Sequence, residues 1–243
     1  MEEEAQVTQI GGTAIPPIEQ TALDGWGTLL PRSFFEASPE HVAPHLLGKV
    51  LAHRTRGGVL AGRIVEVEAY LGPHNDPPDP AAHSHRGPTP RNQVLFGPAG
   101  YSYVYFIYGM YSCMNVSCEV EGLGSGILLR ALEPLAGPDG AALARMALNR
   151  GLAPDARPSL LTSGPGRLCQ ALGINRKHHN GLDLVDSASS LQIRDDGYAT
   201  PEVLVTARIG IREAADWPLR FTVPGHHCVS GAKSLTGRCI PLR

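Results

Sequence analysis

Glu66, Glu68 and Tyr70 close the run Ile64-Val65-Glu66-Val67-Glu68-Ala69-Tyr70, and Tyr101, Tyr103, Tyr105, Tyr108 and Tyr111 crowd together downstream. The chain has only 7 tyrosines and 6% aromatics, so this is a concentration rather than scatter. Flat ring faces beside a carboxylate can grip a planar ring and carry out acid–base chemistry on it. A carboxylate in that position can take a proton from water, a contribution of ~10²–10⁴-fold in rate. Burial against rings would also raise its pKa toward a useful value.

Both stretches read as strands, in which alternate side chains share a face. Glu66, Glu68 and Tyr70 then point one way, and Val65, Val67, Ala69 and Leu71 the other. Such a polar face is also compatible with plain solvent surface. In the second strand Tyr101, Tyr103 and Tyr105 share a face opposite Val104 and Phe106, a pattern that ordinary amphipathic packing also produces. Tyr108 precedes Gly109, and a break there lifts its ring off the sheet, where it could act as a wedge. His83-Ser84-His85 could hold a metal with Glu68 or simply lie on a loop surface. Asn115 could cap a turn or read a bound base. Arg130 could pair with Glu133 or meet a phosphate.

The elements needed to position these residues follow from local signals. Ser38-Pro39-Glu40 predicts a helix start with Ser38 as cap, shortened or kinked by Pro44 and stopped near Gly48. Strands are expected at 50–55 and 59–71 around Gly57-Gly58, then at 101–108, 126–132, 191–194, 203–211 and 219–223. Helices are expected at 138–149 and 163–172. The Pro-, Gly-, Asn- and His-rich segment 72–100 is long enough to carry function. Residues 1–28 and 232–243 read as tails around one α+β domain, a curved, mostly antiparallel sheet with peripheral helices.

The bulk numbers narrow the classes. A 243-residue chain suffices for a sizeable core. The net charge of −2 advertises no polyanion partner, although Arg54, Arg56, Arg63, Arg86, Arg91 and Arg130 could form a local basic face. Five widely spaced cysteines without a Cys-x-x-Cys pair argue against a zinc ribbon or a disulfide scaffold. With no signal-peptide pattern and no membrane-length apolar run, a cytoplasmic location is expected, nucleoid-associated in a prokaryote.

Taken in order, the segments resemble the alkyladenine (3-methyladenine) DNA glycosylase family. The resemblance rests on 63–73 with Tyr70, on Ala81-Ala82-His83-Ser84, and on Thr89-Pro90-Arg91-Asn92. It continues through 103–111 with Asn115, Leu128–Leu135, Ser163-Gly164-Pro165, Leu168–Leu172 and Ala207–Ile211, covering about 29–231. It implies an enzyme that flips a damaged purine out of double-stranded DNA. Tyr70 would stack on one face of that base, with Tyr105 and His83 on the other, while Tyr108 fills the vacated space from the minor groove. Glu68 would deprotonate the attacking water, Arg130 would position that water or a phosphate, and Asn115 would exclude guanine. No lysine falls on a motif position, so the resemblance implies a monofunctional enzyme leaving an abasic site without a cofactor; a monomer with no metal site is expected. The proline-rich stretch 74–80 and Pro88 depart from the expected pattern.

Other readings of the same residues are a non-catalytic binder of damaged bases and a metal hydrolase using His83, His85 and Glu68. A sugar-cleaving glycosidase using Glu66 and Glu68 fits less well, because the two stand side by side rather than flanking a scissile bond.

Overall fold

The structure, a computed structural model, describes residues 20–107, 109–138, 140–231 and 236–242. Among these residues ten antiparallel strands form one sheet. Its main path runs β1 (Thr28–Leu29), β7 (Leu191–Asp195), β2 (Val50–Thr55), β3 (Gly58–Tyr70), β6 (Ser125–Leu135), β5 (Tyr111–Cys118), β4 (Ser102–Ile107). A branch leaves β3 through β9 (Arg220–Thr222) to β8 (Glu202–Thr206) and β10 (Arg238–Pro241). The architecture is the α+β class expected from sequence.

Among the described residues five α-helices accompany the sheet: α1 (Pro39–Leu46), α2 (Ala142–Asn149), α3 (Pro158–Thr162), α4 (Pro165–Leu172) and α5 (Arg176–His179). Val42 and Leu46 of α1, Met146 of α2 and Leu168 and Leu172 of α4 share one core with Ile64, Val67, Ala69, Val116, Leu129 and Leu132 of the sheet. That apolar layer covers one sheet face and leaves the opposite face of β3, β6, β5 and β4 to carry polar side chains. Ser38 occupies the cap position of α1, but its side chain makes no cap hydrogen bond. Its carbonyl instead accepts the His41 and Val42 N–H groups. Pro44 is tolerated within the helix, which ends two residues later.

Three features depart from the sequence expectation. Tyr111–Cys118 is a strand, pairing with β4 from Ile107↔Tyr111 to Ser102↔Val116; its Ser, Cys, Met and Asn residues gave no alternation to recognise. Residues assigned to the tails are partly structured. Gln20–Trp26 forms a 3-10 helix with Leu23 in a small core beside Val50, Ala52 and Ala61. Arg238–Pro241 completes an edge pair with β8.

The third is a β-bulge in β3, where the register against β6 shifts on both sides of Glu66. An extra residue in a strand reverses side-chain alternation locally. Val65 therefore leaves the face of Val67 and Ala69 and packs with Ala131 and Cys228, correcting the expectation that all four share one face.

Candidate active site

One ladder row crosses four strands. Glu68 pairs with Leu128, Leu128 with Asn115, and Asn115 with Tyr103. Neighbouring strands lie about 4.8 Å apart, so this row sets Glu68 and Asn115 on one face roughly two strand spacings apart. Tyr70 follows Glu68 on that face, and Tyr105 follows Tyr103. The loop 72–100 folds over the row and encloses a cavity of about 390 Å³, lined by Tyr70, His83, Tyr105, Asn115, Leu128 and Arg130 among others.

Glu68 is completely buried. Its Oε1 accepts the Ile209 N–H at 2.7 Å, and its Oε2 accepts the Tyr70 hydroxyl at 2.9 Å and Arg130 Nη1 at 3.1 Å. A carboxylate has about four acceptor positions, so three donors leave one for a water. Burial, and then the Glu68 charge, push the Tyr70 phenol far up, which keeps it a neutral donor.

Glu66 is equally buried and held by more donors. It accepts Arg130 Nε (2.8 Å), Arg220 Nε (2.8 Å), the Ser230 N–H (2.6 Å) and the Ser230 hydroxyl (2.9 Å). Three of these donors meet Oε1 and one meets Oε2, and Glu66 serves as a fixed countercharge for two guanidiniums. Arg130 bridges both carboxylates. Burial alone would lower its pKa, but Glu68 and Glu66 outweigh that and raise it.

The aromatic walls are held from behind. Arg208 lies 4.6 Å from the Tyr70 ring centroid, a cation–π contact, and is clamped by Asp79 with Nη2–Oδ1 at 2.9 Å. Asp79 also accepts the Leu71 and Ala81 N–H groups. The proline-rich stretch 74–80 therefore supplies an anchor, while Pro88 is exposed and outside the cavity lining. Opposite, the Tyr103 and Tyr105 rings stack at 5.4 Å, and His83 meets Tyr105 edge-on at 4.4 Å. His83 Nδ1 lies 3.0 Å from the Tyr103 hydroxyl, and its carbonyl accepts Asn92 Nδ2 at 2.7 Å. Partial burial, and then the Arg91 charge, lower the His83 pKa, favouring a neutral ring that can stack. Asn115 Nδ2 donates to the Tyr103 carbonyl at 3.4 Å.

Six of the seven residues singled out in sequence thus gather here: Glu68, Arg130, Tyr70, His83, Tyr105 and Asn115. Tyr108 lies outside the described residues. Among the described residues, His83, His85 and Glu68 form no group able to hold a metal ion. The proposed basic face is not a single surface, since Arg130 is buried against Glu66 and Glu68 and Arg63 pairs with Asp196. Arg86 and Arg91 stay exposed on the loop 72–100. Sequence reasoning gave no role to Asp79, Arg208, Arg220, Ser230 or the Ile209 N–H. Of these, Arg208 and Ile209 stood in a recognised motif, the one signal that could have marked them.

With this geometry in hand, the chain matches a protein family described as methylpurine-DNA glycosylase (MPG) over residues 33–227. A Koribacter versatilis protein named as a candidate 3-methyladenine DNA glycosylase is 53% identical over 206 residues, covering 85% of this chain and 95% of that one. Similarly named proteins are 48% identical in Burkholderia cenocepacia, over 214 residues (88% and 96%), and in Methanoculleus marisnigri, over 205 residues (83% and 98%).

Proposed function

Because the chain belongs to the methylpurine-DNA glycosylase family, whose members hydrolyse N-glycosyl bonds in DNA, we propose that it extracts alkylated or deaminated purines from duplex DNA by base flipping and leaves an abasic site. The observation that carries this reading is Glu68, held by Arg130, Tyr70 and the Ile209 N–H beside an aromatic-walled cavity. A base stacked within a duplex cannot reach such a cavity, so the nucleotide must rotate out.

In this reading the flipped purine lies between Tyr70 and the His83–Tyr105 wall, where each stacking contact returns ~1–3 kcal/mol. A cationic alkylated base gains further from electron-rich ring faces. The fourth acceptor position of Glu68 takes the nucleophilic water. As the water oxygen attacks the anomeric carbon, Glu68 takes its proton, the C–N bond breaks, and the bonding pair leaves with the base. Arg130, fixed by Glu66, holds the carboxylate ionised and oriented. Asn115 excludes guanine, whose exocyclic amine would clash with its amide; an aromatic sandwich alone accepts any purine.

Tyr108 is the wedge that replaces the flipped nucleotide. Its sequence neighbours Phe106, Met110 and Tyr111 are exposed, which supports an apolar surface for insertion. The described cavity lining contains no lysine, which favours water over an amine as nucleophile and hence a monofunctional enzyme.

The test is single-turnover excision from duplexes carrying one hypoxanthine, ethenoadenine, 7-methylguanine or unmodified guanine, with and without alkali. Strand breaks on damaged duplexes that appear only after alkali are expected. Breaks without alkali would contradict monofunctional hydrolysis, and tight lesion binding without any breaks would favour a damage-binding protein.

A further inference from the structure

The segment after β9 carries His226, His227 and Cys228, and none of the three lines the cavity. One ligand-capable atom from each lies within 4.8 Å of the other two. The imidazoles stack with centroids 4.8 Å apart and planes 18° apart. Cys228 is buried and free, His226 partly buried, and His227 exposed. Glu133 Oε2 stands 3.7 Å from His226 Nε2, where a carboxylate can steady a ligating ring. Arg63 Nε lies 3.8 Å from the same carboxylate oxygen.

Two imidazoles and a thiolate form a borderline-soft donor set that suits zinc. Tetrahedral zinc with bonds of about 2.0–2.3 Å sets its donors ~3.4–3.7 Å apart. The cluster must therefore contract by about an ångström, and zinc must displace the Cys228 N–H that His226 Nδ1 accepts at 3.2 Å, Nε2 being the nitrogen that faces Glu133. We propose that His226, His227 and Cys228 form a zinc-binding site with a fourth position for water, and that Glu133 is the partner of the His226 ring. On binding, the Cys228 thiol gives its proton to solvent and the sulfur lone pair goes to the metal.

The site has a structural consequence. Val229 N–H donates to the His226 carbonyl at 3.1 Å, and the next residue, Ser230, gives Glu66 two hydrogen bonds. Zinc here clasps the segment that fixes Glu66 and, through it, Arg130. It is a positioning site, separate from bond cleavage, and its existence does not depend on the proposed chemistry at Glu68.

The experiment is titration of the full chain with Co2+ alone, read by thiolate-to-cobalt charge-transfer absorption, followed by displacement with Zn2+. One Co2+ per chain is expected, and the absorption should vanish in Cys228→Ser and persist in Cys239→Ser, which removes the exposed thiol. His227→Ala, at an exposed position that threatens folding least, should weaken binding by at least about tenfold. Absence of the charge-transfer band, its survival in Cys228→Ser, its loss in Cys239→Ser, or unchanged affinity in His227→Ala would each overturn the proposal.

Discussion

Arg130 Nε donates to Glu66 Oε1 at 2.8 Å while Nη1 of the same guanidinium reaches Glu68 at 3.1 Å. One side chain thus ties a carboxylate held by four donors, two of them guanidiniums, to one held by three, so two glutamates two residues apart sit in different surroundings. The bulge at Glu66 makes the difference possible, because it re-aims Val65 and Glu66 within an otherwise regular strand.

Glu66→Gln should therefore fail by instability. The change leaves Arg220 buried without its carboxylate and Arg130 with Glu68 alone, a loss of about 3–5 kcal/mol for a broken buried pair. Urea denaturation of the variant beside the parent chain measures it. A loss below about 1 kcal/mol would show that the two guanidiniums do not depend on Glu66.

Acid should destabilise the fold through a second buried cluster, remote from the cavity. His53 Nε2 lies 3.0 Å from His179 Nε2, and His53 Nδ1 lies 2.7 Å from the Leu172 carbonyl. Burial first, and the His179 charge as well, bring His53 from 6.5 down to about 4. The unfolded ring binds a proton more readily than the folded one, so stability is intact above pH 6.5 and falls as pH drops toward 4, by roughly 3 kcal/mol in all. Denaturation midpoints at pH 7.5 and 5, with His53→Gln for comparison, check this. The parent chain should lose more stability than the variant across that interval, and equal losses would assign the acid sensitivity elsewhere.

Much of the site was legible because it follows strand alternation. Glu68 and Tyr70 on one strand, and Tyr103 and Tyr105 on another, were placed on their faces by a period of two, and the motif order brought His83, Asn115 and Arg130 to the same cavity. What could not be read depends on distant closure. Arg220 and Ser230 reach Glu66 across more than 150 residues, and Asp79 finds Arg208 across 129. No local pattern encodes such pairings. The bulge was invisible because Ile64-Val65-Glu66-Val67 alternates well enough for a regular strand. The β5 strand was missed for the opposite reason, since it is buried on both faces and shows no alternation. His226-His227-Cys228 escaped notice because cysteines were weighed against one another and not against adjacent histidines.

The central claim is that Glu68 activates water and does not serve mainly to hold the fold. Single-turnover excision of hypoxanthine by Glu68→Gln, with lesion-duplex binding measured on the same preparation, tests it most directly. Binding within a few-fold of the parent chain and a rate lower by roughly two to four orders of magnitude are predicted. Parent-like excision by the variant would contradict the account.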